Sequence, residues 1–116
     1  MNINILEFID TEGKSPFSKW FDDLNAEAAA KITKAMYRLA NGNFSNVESV
    51  GEGVHEYKIH FGPGYRIYFG QDSDTLVILL AGGTKKGQNK DIKKAKETWQ
   101  IYKKLKKSTK RGILCH

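Results

Sequence analysis

The amino-acid sequence predicts a single α+β domain in which an antiparallel meander sheet packs with an N-terminal helical hairpin and a C-terminal helix. Three observations lead there. Apolar residues keep a helical period from about residue 16 to about residue 40 and alternate from residue 54. Gly, Pro, Asn and Asp clusters separate the alternating runs. The helical period returns after Gly87. At 116 residues, 40% hydrophobic and 28% charged, the chain has apolar material for one core and too little length for two. The domain is expected over residues 1–107, with 108–116 a flexible basic tail.

The elements follow in order. Asn2 to Asp10, rich in Ile, Leu and Phe, reads as a strand. Ser15 before Pro16 reads as an N-cap with proline at the first helical position, opening a short helix through Phe17, Trp20, Phe21 and Leu24. Asn25 caps a second helix, along which Ala29, Ile32, Met36 and Leu39 recur on one face until Asn41-Gly42 ends it. Residues 43–53 read as a turn-rich loop. Val54 to Phe61 and Tyr65 to Gly70 read as strands joined by Gly62-Pro63-Gly64. Thr75 to Ala81, apolar on both faces, reads as a strand covered on both sides. Ile92, Ala95, Trp99 and Tyr102 mark the buried stripe of the last helix, whose other positions are crowded with lysine.

Charge narrows the function. The net charge is +6 and unevenly spread. Residues 1–30 hold six acids against Lys14 and Lys19, whereas residues 90–116 hold nine lysines and Arg111 against Asp91 and Glu97. This polarity suits a polyanionic partner at the C-terminal side, since each phosphate neutralised releases condensed counterions; a solvated lysine-rich helix has the same composition. Cys115 is the single cysteine, so no internal disulfide and no cysteine-based zinc site is expected, and His55, His60 and His116 lack the spacing of a helical ligand pair. No cofactor is expected. No run approaches a membrane span, and Met1 to Glu7 lacks a signal-peptide pattern, so a cytoplasmic protein is expected.

If Phe61 pairs with Tyr65, two sheet faces follow, because residues directly opposite each other point the same way. Tyr57, Ile59 and Phe61 join Phe69, Ile67 and Tyr65 on an apolar face. Glu56, Lys58 and His60 fall opposite Gly70, Tyr68 and Arg66, so Lys58 is expected to face Tyr68 and His60 to face Arg66 on an uncovered side. That grouping has the components for metal-free RNA cleavage. His60 can move a proton, Arg66 can clamp phosphate oxygens, Lys58 can stabilise charge, and Tyr68 offers a stacking surface or a donor. The plainer reading is a solvated strand face, which is ordinarily polar. After the third strand, Gly82-Gly83-Thr84-Lys85-Lys86-Gly87 lacks the spacing of a nucleotide-binding phosphate loop. Lys85 and Lys86, with Lys93 and Lys94 of the last helix, are nonetheless placed to hold an RNA backbone.

These residues resemble a known family. Ser15-Pro16-Phe17-Ser18-Lys19-Trp20-Phe21, Gly42-Asn43-Phe44, Gly51-Glu52-Gly53-Val54-His55-Glu56, the run Ile59 to Gly70, Leu79-Leu80-Ala81-Gly82-Gly83, and Asp91-Ile92 with Ala95-Lys96 are similar to the HigB-like addiction module killer proteins of the RelE/ParE type II toxin superfamily. The resemblance spans roughly residues 1–102. It implies a compact RelE-like fold, ribosome-dependent messenger RNA cleavage without a metal, and a cognate antitoxin, expected to be a helix-turn-helix protein. It assigns Lys58, His60 and Arg66 to the active groove and a further catalytic basic residue to the Lys85-Lys86 pair, Lys86 being expected in that role and Lys85 on the RNA backbone. Asp91, Ile92 and Lys93 stand where RNA-cleaving relatives place a tyrosine or histidine as proton donor, which leaves Tyr68 or His60 for that role. The same fold also serves toxins that inhibit DNA gyrase, so a non-catalytic gyrase-directed toxin is the alternative.

Overall fold

A computed structural model describes residues 2–111. The order is β1 (Asn4–Glu7), α1 (Pro16–Asp22), α2 (Ala26–Ala40), β2 (Val47–Gly51), β3 (Val54–Ile59), β4 (Tyr65–Ser73), β5 (Leu76–Thr84), a single 3-10 turn (Lys85–Gly87) and α3 (Gln88–Arg111). The α+β class, the paired N-terminal helices and the C-terminal helix are as the sequence predicts. Residues 112–116 of the expected tail lie outside the described residues.

Local chemistry sets the helix ends. The Ser15 hydroxyl accepts from the Ser18 amide at 3.0 Å with Pro16 next in line, and the Asn25 side chain accepts from the Ala28 amide at 2.8 Å. Each side chain satisfies one amide that the first helical turn leaves without a partner. Gly42, at φ 83°, takes the left-handed conformation that ends α2.

The sheet has five strands in the order β1-β5-β4-β3-β2. From β2 to β5 it is an antiparallel meander, and β1 adds at the far edge, parallel to β5. The segment read as a turn-rich loop contains β2. Val47 pairs with Tyr57, and the hairpin closes through Glu52 and Gly53, both at positive φ, the conformation a tight type I′ turn requires.

Both sheet faces are covered. Helices α1 and α2 close over Tyr57, Ile67, Phe69, Val77 and Leu79, joined by Phe17, Ile32 and Leu39. Helix α3 closes over Phe8, Val54, Tyr68, Ile78 and Leu80 with Ala95 and Trp99. The expectation that one side of the meander is free is therefore corrected. The α3 stripe has to bury against something, and this sheet face is its partner.

Two close approaches let the helices seat. A side chain at Gly82 would lie 2.1 Å from the Trp20 ring of α1, and one at Gly70 would lie 2.4 Å from the Trp99 ring of α3. Gly82 and Gly83 belong to β5 itself, which runs three residues further than its sequence pattern suggests. A bulge where Tyr68 pairs with Ala81 and Phe69 with Leu79 sets the extra residue aside.

Candidate active site and nucleic-acid interface

The hairpin between β3 and β4 organises the polar residues. Ile59 pairs with Tyr65, and residues 60–64 form the turn, with the Phe61 amide donating to the Ile59 carbonyl at 2.9 Å and the Gly64 amide to the Phe61 carbonyl at 3.0 Å. Gly62 and Gly64 supply the positive φ values. On β3 the ladder thus stops at Ile59, short of the Phe61 that a bare Gly-Pro-Gly loop implies. The face assignment survives, because a shift of two preserves alternation. The pairing does not: Lys58 stands opposite Arg66, and Glu56 opposite Tyr68.

Glu56 is the centre of the cluster. It is 1% exposed, and its two oxygens take different donors: Arg66 Nη1 at 3.2 Å and Gln88 Nε2 at 2.7 Å. Gln88, the first residue of α3, thereby ties the helix start to the sheet. Lys58 Nζ lies 4.0 Å from Glu56 and 3.0 Å from Glu48 on the neighbouring strand. Two carboxylates and two cations alternate across β2, β3 and β4. An unpaired charge this deep would be costly, and the mutual pairing removes most of that cost.

Arg66 and Tyr68 differ from expectation. Arg66 is 8% exposed and bound to Glu56, so its guanidinium is not an open phosphate clamp. Among the described residues its buried Nε has no hydrogen-bond partner. Tyr68 is 0% exposed beneath α3, which removes its stacking surface and its access to a leaving group. Burial first, then the charges of Glu56 and Asp91, push its hydroxyl well above the ordinary tyrosine range. It stays a neutral phenol. Asp91 reaches over Gly83, whose missing side chain makes room for the carboxylate, and burial raises the carboxyl above its usual range.

His60 leaves the strand. It sits in the turn, exposed, and does not face Arg66. With Lys58 it lines an open groove between the end of β3 and α2. On the opposite face His55 stacks on Phe69 with ring centres 5.4 Å apart, and burial lowers its affinity for a proton. Lys85 and Lys86 are exposed in the 3-10 turn, and the Lys85 amide donates to the Gly64 carbonyl at 2.8 Å, which fastens that turn to the hairpin loop. Lys93 and Lys94 are exposed on α3.

Lys58, Lys85 and Lys86 therefore gather around one end of the sheet with His60, while Arg66 and Tyr68 form the buried floor. Sequence reasoning missed Gln88 as a partner of Glu56 and assigned Glu56 no place in the site. Polarity at a strand position that alternates with core residues, followed by an amide at a helix start, is too common a pattern to single them out. Among the described residues no group of three His, Cys, Asp or Glu side chains converges as a metal site, and no helix is long and apolar enough to cross a membrane.

The family model described as "Phage derived protein Gp49-like (DUF891)" matches residues 19–111. An uncharacterized protein of Haemophilus influenzae (strain Rd) is 47% identical over 81 residues, covering 69% of this chain and 82% of the relative. The family match takes in α2, the strand hairpin and the sheet end where the cations gather.

Proposed function

Since the chain belongs to the Gp49-like family of phage-derived proteins, we propose that it is the toxin of a toxin–antitoxin pair and arrests growth by cutting messenger RNA on the ribosome. The observation that carries this reading is the mouth formed by Lys58 and His60, an accessible cation and an accessible imidazole lining one groove.

In the reaction, the ribose 2′-oxygen attacks the adjacent phosphorus and the bond to the 5′-oxygen breaks. A 2′,3′-cyclic phosphate and a 5′-hydroxyl remain. His60 takes the 2′-proton or returns one to the departing oxygen, a transfer typically worth about 10²- to 10⁴-fold in rate. Lys58 lies against the phosphate as negative charge grows, exchanging its exposed partner Glu48 for the phosphate oxygens. Glu56 and Arg66 hold Lys58 from behind, and Arg66 acts as a positioning residue. Lys85 and Lys86 hold the backbone on the other side of the hairpin loop, with Lys93 and Lys94 further along α3. No metal is required by this scheme. The antitoxin would silence the protein by covering the same end of the sheet.

The burial of Arg66 and Tyr68 favours a second reading, a non-catalytic toxin directed at DNA gyrase, since a polar cluster that satisfies itself has less left for a substrate. One experiment separates the two. Purified protein added to ribosomes translating a defined message should yield discrete cleavage products, and His60→Gln or Lys58→Met should lower the rate at least about 100-fold, in line with lost proton transfer or charge stabilisation. An intact message together with inhibited gyrase supercoiling would establish the second reading instead.

A further inference from the structure

The groove beside Lys58 and His60 has a second wall that the cleavage chemistry does not use. It is about 310 Å³ and is closed on its far side by α2, which contributes Lys31, Lys34 and Arg38. These three recur at intervals of three and four residues, so they form one stripe on one side of the helix. Each is exposed. Among the described residues, no carboxylate comes within 4.0 Å of any of them, whereas Lys58 and Lys96 each have an acid partner. The Lys31 ammonium rests over the Phe61 ring, 5.0 Å from its centre, where the hairpin loop meets the groove.

A row of unneutralised cations carries a standing repulsion that a polyanion would relieve. Phe61, which lines the groove, adds the other requirement of single-stranded nucleic acid, a flat ring against which an unpaired base can stack. The groove is polar and open, unlike the apolar cleft that seats a partner helix.

We propose that the groove between α2 and the end of β3 is the track along which single-stranded RNA enters, with Lys31, Lys34 and Arg38 each taking a phosphate and Phe61 stacking a base. It rests on the RNA-directed reading above and extends it. The strand passes the Lys58–His60 mouth, crosses the hairpin loop and continues onto Lys85 and Lys86, which the Lys85–Gly64 hydrogen bond fastens to that loop. Helix α2 thereby sets how the message lies across the mouth.

The test uses a fluorescently labelled single-stranded RNA that is fully 2′-O-methylated, so that it cannot be cut and binding is read apart from cleavage. Affinity is measured by polarisation across a range of salt concentrations. For single strands the logarithm of affinity falls with the logarithm of salt by about 0.7 per phosphate contacted, so Lys31→Gln/Lys34→Gln/Arg38→Gln should lower the slope by about 2. Its affinity near physiological salt should fall at least about tenfold. A control that removes the same charge elsewhere, Lys14→Gln/Lys19→Gln/Lys96→Gln, in which Lys14 and Lys96 already have acid partners, should keep the parent slope. Equal slope loss in both triples, or an unchanged slope in the groove triple, would overturn the proposal. So would a groove that proves to bind polyglutamate through Lys31, Lys34 and Arg38 while RNA binding ignores them, which would make its partner an acidic protein segment. Slope loss confined to the groove triple supports the track even if ribosome-bound message stays intact, so failure of the cleavage reading is seen separately.

Discussion

Glu56 shows how one residue can be structural and still define a site. Its carboxylate is the shared acceptor of Arg66 and Gln88 and lies within 4.0 Å of the Lys58 ammonium. Replacing it with glutamine keeps the shape and removes the charge, which leaves the Arg66 guanidinium buried without its counter-ion. Breaking a buried pair from one side typically costs about 3 to 5 kcal/mol, while replacing both partners with apolar groups is often neutral. Urea denaturation of Glu56→Gln should therefore show a loss of about 3 kcal/mol, and Glu56→Leu/Arg66→Met should lose much less than the two single changes combined. A Glu56→Gln variant as stable as the parent would mean that the pair does not hold the floor of the site.

Elements decide what sequence reasoning could reach. Alternation placed Tyr57, Ile59, Ile67 and Phe69 on one face and Lys58, Arg66 and Tyr68 on the other, and both assignments hold because a period of two survives any even shift. Register did not follow from alternation. The hairpin opens after Ile59 because the chain turns over residues 60–64, and that loop is indistinguishable in pattern from a shorter one of residues 62–64 flanked by Phe61 and Tyr65. The covered second face was partly readable. The both-sided apolar character of β5 called for two layers, yet the lysines of α3 mask the stripe that packs. Gly70, Gly82 and Gly83 carry the missing signal, since small residues inside strands mark close approach. Gly82→Ala tests that role: a methyl 2.1 Å from the Trp20 ring forces the ring aside, at a cost of about 1 to 3 kcal/mol for overpacking. In a Trp20→Leu background the same alanine should cost measurably less, and equal costs in both backgrounds would show that α1 does not seat on this glycine.

At the scale of the whole molecule, one sheet is the shared floor of two cores. Trp20 packs with the core under α1 and α2, and Trp99 lies in the core under α3, so each tryptophan reports one layer from opposite sides of the sheet. The buried apolar residues of β4 divide between the layers: Ile67 and Phe69 serve the first, Tyr68 the second. Neither layer can leave without exposing apolar strand residues, and Gln88 on Glu56 adds a polar tie between α3 and the sheet. A domain of this size, so joined, should unfold in one cooperative step. Trp20→Phe and Trp99→Phe leave one reporter each. In each variant the tryptophan fluorescence and far-ultraviolet circular dichroism transitions should coincide along a urea titration. If fluorescence of Trp99 in the Trp20→Phe protein changed before the circular dichroism did, α3 would be leaving an otherwise folded sheet. The face carrying Glu56, Arg66 and Tyr68 would then open as a unit, and the buried floor of the site would be reachable without global unfolding.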